Sequence, residues 1–314
     1  MWKGETEMLS RTANSLYWIG RNIERAENTA RLISVTSHLQ LDLPKGIRQG
    51  WKSIVNILGN IEAFDKLGIE NDERQIMKFL ISDLNDPGSI LSSLHMARES
   101  ARTVRDVLPR EAWEEINTLY QAAKADAQKG YWPKNRHAYL QQIVRGAQTV
   151  TGILSGSMLQ DETYQFVRLG RNQERADMTT RIIDVRSADL VPSAEHDLTP
   201  FENIQWMSVL KSLTGYQMYR RSVLEPVRRR DVLEFLFKER RFPRAVLHCL
   251  GEIEGCTQTL KRNAQVIASI QAVVHAIEAV DPGALSQTEL HVLIDELQFG
   301  LAGIDEAVRQ TYFA

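Results

Sequence analysis

An all-α fold is predicted, and three observations carry it. Apolar residues recur at three-and-four spacing along almost the whole 314-residue chain, the signature of amphipathic helices. No convincing alternating strand interrupts them. The composition, 43% hydrophobic and 25% charged with nine prolines and eighteen glycines, is that of a globular chain able to bury a sizeable core. Thirty-eight Lys plus Arg against forty Asp plus Glu leave a net charge of −2, which excludes a generally basic nucleic-acid binder and an acidic tail.

The first stripe runs over Leu9–Val35, with Leu16, Ile19, Ile23, Ala26, Ala30 and Ile33 on one arc. Similar stripes predict helices over Trp51–Ile61, Glu73–Leu84, Ser89–Val107, Arg110–Ala127 and Arg136–Met158. In the second half they cover Gln165–Val185, Ile204–Tyr219, Val232–Lys238, Arg244–Ala279 and Gln287–Tyr312. Breaks are expected at Asp42-Leu43-Pro44-Lys45-Gly46, Asn85-Asp86-Pro87-Gly88, Gly130-Tyr131-Trp132-Pro133 and Asp281-Pro282-Gly283, where proline and glycine punctuate the chain. The polar stretch Ser187–Phe201, with two prolines, reads as an ordered loop or linker.

An internal repeat sets the architecture. Aligned at an offset of 150, Met8–Val35 and Met158–Val185 share twelve of twenty-eight residues, and eight of these lie in Gly20–Arg31. Weaker echoes follow: Trp51 and Leu58 match Trp206 and Leu213, then Phe79, Leu80, Pro87, Leu91 and Leu94 match Phe235, Leu236, Pro243, Leu247 and Leu250. The expected architecture is one domain, 1–314, made of two pseudo-repeated helical halves (about 8–157 and 158–314) sharing a core across a pseudo-two-fold. Two copies are too few for a solenoid.

The repeated element is Gly-Arg-Asn-x-Glu-Arg-Ala. On a helical wheel Tyr17, Arg21, Glu24, Arg25, Asn28 and Arg31 gather on one arc, opposite the aliphatic set, and Glu27 with Arg31 forms a favourable i,i+4 pair. Arg21, Asn22, Glu24, Arg25 and Arg31 recur as Arg171, Asn172, Glu174, Arg175 and Arg181, while the apolar arc drifts (Ile23 to Gln173, Ala30 to Thr180). A merely solvated face should drift faster than a core face, so two readings remain. One is a buried Arg–Glu network where the halves meet. The other is a site for a small anionic or peptide-like ligand, in which Tyr17, Arg21, Arg25, Arg31, Arg171, Arg175 and Arg181 hold a carboxylate or phosphate and Glu24 or Glu174 serves as acid, base or orienter. Tyr17 and Trp18 have Val167 and Arg168 as counterparts, so such a site is asymmetric.

The segment Met8-Leu9-Ser10-Arg11, followed by Tyr17-Trp18-Ile19-Gly20-Arg21 and Glu24-Arg25-Ala26-Glu27, resembles the opening signature of the bacterial Alpha-E domain family. Phe79-Leu80, Asn85-Asp86-Pro87, Phe235-Leu236 and Phe242-Pro243-Arg244 look like its other landmarks, with one departure: Gly88 stands where the first half should carry an equivalent of Arg244. The resemblance implies an all-α, cytoplasmic domain without an established activity. It also implies a gene neighbourhood with a circularly permuted ATP-grasp ligase and a transglutaminase-like cysteine peptidase, hence a role in amide-forming or peptide-modifying chemistry, as an accessory or catalytic component or as a non-enzymatic scaffold for those partners.

Other chemistry finds no motif. None of the seven histidines follows Glu or Asp by three or four residues, and H-E-x-x-H, G-x-G-x-x-G, P-loop and G-x-S-x-G sequences are absent, so neither metal nor cofactor is expected. Cys249 and Cys256, seven residues apart on one helix, cannot form a disulfide and read as core residues. Arg220–Arg244 holds nine Lys or Arg against four Asp or Glu with Phe235, Phe237 and Phe242 among them, which suits an acidic partner protein better than nucleic acid. The opening Met-Trp-Lys-Gly-Glu-Thr-Glu lacks an apolar signal region and no window has the length of a membrane span, so a cytoplasmic location is expected.

Overall fold

The computed structural model describes residues 10–42, 50–68, 72–188 and 202–314. Among them are fourteen helices and no strand, as the periodicity requires. The first half has α1 (Ser10–Asp42), α2 (Lys52–Ile57), α3 (Ile61–Lys66), α4 (Glu73–Ser82), α5 (Ile90–Thr103), α6 (Arg110–Gly130) and α7 (Pro133–Ser157). The second has α8 (Glu162–Ala188), α9 (Glu202–Ser212), α10 (Tyr216–Ser222), α11 (Arg229–Lys238), α12 (Val246–Gln258), α13 (Ala264–Glu278) and α14 (Gln287–Tyr312).

The two long repeat-bearing helices, α1 and α8, lie against each other at the centre. Helix α1 also packs on α5 and α7, and α8 on α12 and α14, while α6 with α7 and α13 with α14 form antiparallel pairs outside them. Leu16, Ile19, Ile23, Ala26, Ala30 and Ile33 are all buried, so the aliphatic arc of α1 is a core face. Its polar arc is largely buried too, against α8. A helix enclosed on both arcs explains why hydrophobicity alone does not set its polar residues apart from a wet face.

Helix ends follow local chemistry. Pro133 opens α7 at its first position, Asp72 and Ser89 accept from backbone amides at the starts of α4 and α5, and Ser286 with Glu289 forms a capping box on α14.

Three expected helices are in fact broken. Trp51–Ile61 splits into α2 and α3 at Gly59 (φ 75°), Ile204–Tyr219 into α9 and α10 at Thr214 (φ 55°), and Arg244–Ala279 into α12 and α13 near Arg262 (φ 58°). Each break places a residue in the left-handed region, the usual way a helix stops. Periodicity misses these stops because the apolar residues beyond them, such as Phe64, Tyr219 and Val266, rejoin the same core. Helix α1 runs on past Val35 to Asp42. Met8, Leu9, the expected break from Leu43 and the stretch 189–201 lie outside the described residues.

Candidate functional site

Helices α1 and α8 cross where the repeated glycines meet. A Cβ on Gly20 would stand 2.2 Å from the Val167 carbonyl oxygen, and one on Gly170 would stand 2.1 Å from that of Tyr17. The contacts are reciprocal, since Val167 and Tyr17 are themselves counterparts at the repeat offset. Glycine is required at both positions because the obstacle is backbone. This close approach brings each motif's charged residues within reach of the opposite helix.

Glu174 of α8 is clamped from α1. Arg25 donates through Nε to Oε1 at 2.5 Å and through Nη2 to Oε2 at 2.8 Å, and Arg21 Nε donates to Oε2 at 2.9 Å. Burial pushes the Glu174 carboxyl upward, but Arg25 and Arg21 outweigh it and hold the group at about 2. Arg21 reaches further, with Nη1 donating to Asp305 Oδ1 of α14 at 2.7 Å. Tyr17 donates its hydroxyl to the same Asp305 oxygen. Burial, the larger influence, keeps the Tyr17 phenol protonated far above its ordinary range, helped by Asp305 and Glu174. The Tyr17 ring packs edge-on against Trp18, and the Arg21 guanidinium lies over the Trp18 ring at 5.2 Å.

Glu24 of α1 is the counterpart and has different neighbours. Arg175 Nε donates to its Oε2 at 2.9 Å, mirroring Arg25. The second guanidinium comes from Arg244, in the loop before α12, whose Nη1 stands 2.5 Å from Glu24 Oε1 as an ion-pair contact rather than an aligned hydrogen bond. Arg244 also donates to Asn28 Oδ1 at 2.6 Å and to Glu27 Oε1 at 3.3 Å. Burial raises the Glu24 carboxyl, yet Arg175, Arg244 and Arg171 bring it below its ordinary value.

The remaining candidates divide in the same way. Arg31 pairs with Glu27 and Arg181 with Asp177, each four residues apart. Arg171, the counterpart of Arg21, has no equivalent of Asp305 among the described residues; its Nε is buried without a hydrogen-bond partner among them, and burial together with Arg175 lowers its pKa. Thus Arg21, Arg25, Arg31, Arg175 and Arg181 are all engaged by carboxylates of the chain, and Tyr17 is enclosed beside them.

One cavity of about 240 Å³ opens on the crossing, lined among others by Arg25, Asn60, Gly88, Glu174, Asp177 and Arg181. Asp86 flanks it, and burial raises that carboxyl to about 6 against the opposing Gly88 amide. Elsewhere, Cys249 and Cys256 are free and buried, and burial pushes their thiols to about 12 and about 11, so neither is poised as a nucleophile. In the basic stretch Phe235, Phe237 and Phe242 are buried, while Arg230, Arg240 and Arg241 pair with Asp281, Glu278 and Glu239. Among the described residues no group of three or more His, Cys, Asp or Glu is placed to hold a metal ion, and no helix is long and apolar enough to cross a membrane.

Sequence reasoning missed Asp305, Asn60 and the pairing of Arg244 with Glu24. Asp305 and Asn60 carry no repeat signal, since neither has a matching residue in the other half. Thr29 and Thr179 were visible as a repeated identity, and their use is structural: Thr29 Oγ1 donates to the Gly88 carbonyl at 3.2 Å and Thr179 Oγ1 to the Arg244 carbonyl at 2.9 Å.

Comparison with known proteins agrees with the resemblance read from the motifs. The model of the Alpha-E family, described as a predicted alpha-helical domain with a conserved ER motif, matches residues 8–313, and the chain belongs to this family. Glu24-Arg25 and Glu174-Arg175 at the crossing are Glu-Arg pairs of that kind. The chain is 23% identical over 323 positions to the uncharacterized protein Mb2597 of Mycobacterium bovis, covering 95% of this chain and 36% of that protein. To the uncharacterized protein Rv2567 of Mycobacterium tuberculosis it is 22% identical with the same coverage. It therefore spans about a third of the length of these relatives. No solved structure matches.

Proposed function

We propose that this Alpha-E chain is an accessory, non-catalytic helical module of an amide-forming or peptide-modifying system, and that its Arg–Glu crossing is a structural lock. The observation that carries this reading is the state of the two candidate carboxylates. Glu24 and Glu174 are each 1% exposed, held between two guanidinium groups and kept ionised below the usual carboxylate range. A general acid or base needs a pKa near the working pH and reach to a substrate. Both groups lack the first and Glu24 lacks the second, while Glu174 borders the cavity with its oxygens already taken by Arg21 and Arg25.

The partners are those the family resemblance implies, an ATP-grasp ligase and a transglutaminase-like protein. The relatives support a role beside other segments, because there the matching region makes up 36% of a longer chain. The cytoplasmic location belongs to the same reading, since the family resemblance implies it. We propose in addition that the domain is two pseudo-repeated halves, about 8–157 and 158–314. The reciprocal glycine contacts support this, and so do helix starts at Glu73 and Arg229 and at Ile90 and Val246, which keep the 156-residue offset of the sequence echo.

A pull-down of the tagged chain, read by mass spectrometry, is expected to enrich an ATP-grasp ligase or a transglutaminase-like protein, and a folded Glu24→Gln variant is expected to enrich it equally. Enrichment of neither contradicts the partner assignment. One observation favours the anion-binding reading at a single residue: the buried, unpartnered Nε of Arg171. If that reading holds, acetate or phosphate raises the melting temperature of wild type and not of Arg171→Gln.

A further inference from the structure

We propose that the cavity beside Gly88 is a binding site for a guanidinium group, occupying the place that the chain's own Arg244 fills on the other side of the crossing. Arg244 and Gly88 hold equivalent positions. The carbonyl of Arg244 accepts from Thr179 of α8, and the carbonyl of Gly88 accepts from Thr29 of α1. From its loop Arg244 reaches Glu24, Glu27 and Asn28 on α1. The residues at the same places on α8 are Glu174, Asp177 and Met178, and all three line the cavity together with Gly88. The side chain that would fill this space is missing because residue 88 is glycine.

The charges suit a cation. Around Arg244 stand two carboxylates, Glu24 and Glu27, with Arg175 and Arg31 paired to them. Around the cavity stand Glu174 and Asp177, with Arg25 and Arg181 paired to them and with Arg21 also on Glu174, its charge shared with Asp305. Arg244 joins a set otherwise balanced at two carboxylates and two guanidinium groups; with Asp305 offsetting Arg21 the cavity side is balanced as well, at three and three, so it too can take a further guanidinium. The cavity side also carries an extra carboxyl. Asp86 takes the place held by Phe242, and Asn60 the place held by Gly215, where the Phe242 ring fills the space instead.

Asp86 is 3% exposed, and its Oδ2 and the Nδ2 of Asn60 are both buried without a hydrogen-bond partner among the described residues. Buried polar atoms are rarely left so, and each such case calls for a cause. A guanidinium supplies donors to Asp86, Asp177 and Glu174 in the forked geometry carboxylates favour. A carbonyl of the same ligand can accept from Asn60. Met178, standing where the other side has Asn28, offers a soft wall to an aliphatic stem. At about 240 Å³ the cavity is smaller than pockets that enclose a whole drug-sized ligand, so it takes a side chain or a head group. The group can come from a free guanidino compound or from an arginine of a peptide. The site stands on the crossing itself and not on the accessory role proposed above.

Calorimetry on the full chain with agmatine, Nα-acetyl-arginine methylamide, inorganic phosphate and acetate tests the proposal. Agmatine or the arginine amide is expected to bind wild type with Kd below about 1 mM. Binding should weaken at least about tenfold in Asp177→Asn and vanish in Gly88→Arg, whose new side chain occupies the cavity. Only the amide end of Asn60, which can swing, stands in the way of a Cβ there. Should Gly88→Arg fail to fold, Arg244→Gly serves instead, because opening the second place should raise the stoichiometry from one to two. Tighter binding of the arginine amide identifies a peptide as the source, and tighter binding of agmatine a free compound. Absence of guanidino binding, binding of phosphate or acetate alone, or guanidino binding unchanged in Gly88→Arg overturns the site.

Discussion

The two ends of the α1–α8 crossing begin from nearly the same residues and finish with different surroundings. Glu174 is clamped by Arg21 and Arg25 from one helix, with Asp305 and Tyr17 behind them, and an open cavity lies beside it. Glu24 is clamped by Arg175 from the facing helix and by Arg244 from a loop, and the space beside it is filled. The comparison separates what the motif does from what its neighbours add. Gly-Arg-Asn-x-Glu-Arg-Ala brings the helices together and pairs Arg25 with Glu174 and Arg175 with Glu24. The loops before α5 and α12, together with α14, decide which side is closed.

The largest effect should come from removing either carboxylate. Glu174→Ala strands Arg21 and Arg25, and Glu24→Ala strands Arg175 and Arg244; breaking a buried pair from one side costs roughly 3–5 kcal/mol. Thermal unfolding should show a fall of roughly 6–12 °C for each. A loss at only one of the two would mean that the ends differ in stability as well as in neighbours.

Acid should open the same lock. With its folded pKa depressed to about 2, Glu174 contributes stability that is fully present above about 4.5 and lost as pH falls through 2. That contribution is on the order of 3 kcal/mol, and Glu174→Gln should lack it in denaturant titrations at different pH. Asp86 has the opposite sign. Its folded pKa is raised to about 6, so its burial is tolerated best below about 4 and costs stability as pH rises through 6. Asp86→Asn should therefore stabilise the protein by roughly 1–2 kcal/mol at pH 8 and leave it unchanged at pH 4.

The glycines come next. Gly20→Ala and Gly170→Ala push a methyl into a carbonyl oxygen and should cost roughly 1–3 kcal/mol or more. Gly152→Ala and Gly251→Ala, where a Cβ meets open space within a helix, should instead gain up to about 1 kcal/mol. Equal behaviour of the two sets would contradict the close backbone approach. The smallest effect belongs to Thr29→Val and Thr179→Val, about 1 kcal/mol each for one buried hydrogen bond.

Much of this was legible in the sequence, for identifiable reasons. Helix periodicity survives wherever one arc faces a core, so the all-α class and most helices were readable. The identity of Arg21, Glu24 and Arg25 with Arg171, Glu174 and Arg175, against a drifting apolar arc, marked the crossing. The stops at Gly59, Thr214 and Arg262 were hidden because a single left-handed residue leaves no mark on hydrophobic spacing. Asp305 and Asn60 were hidden because a residue reached only through tertiary packing, with no repeat partner, looks like any other polar surface position. Gly88 was visible as a departure from the family pattern, but its meaning needed the facing positions Glu174, Asp177 and Met178.

The claim on which the rest stands is that Arg25 and Glu174 hold the two helices together across the crossing. A double-mutant cycle with Arg25→Ala, Glu174→Ala and the pair, read by denaturant unfolding, tests it most directly. A coupling energy of at least about 1.5 kcal/mol is expected, as for groups sharing one buried network. Additive losses, with coupling below about 0.5 kcal/mol, would contradict it.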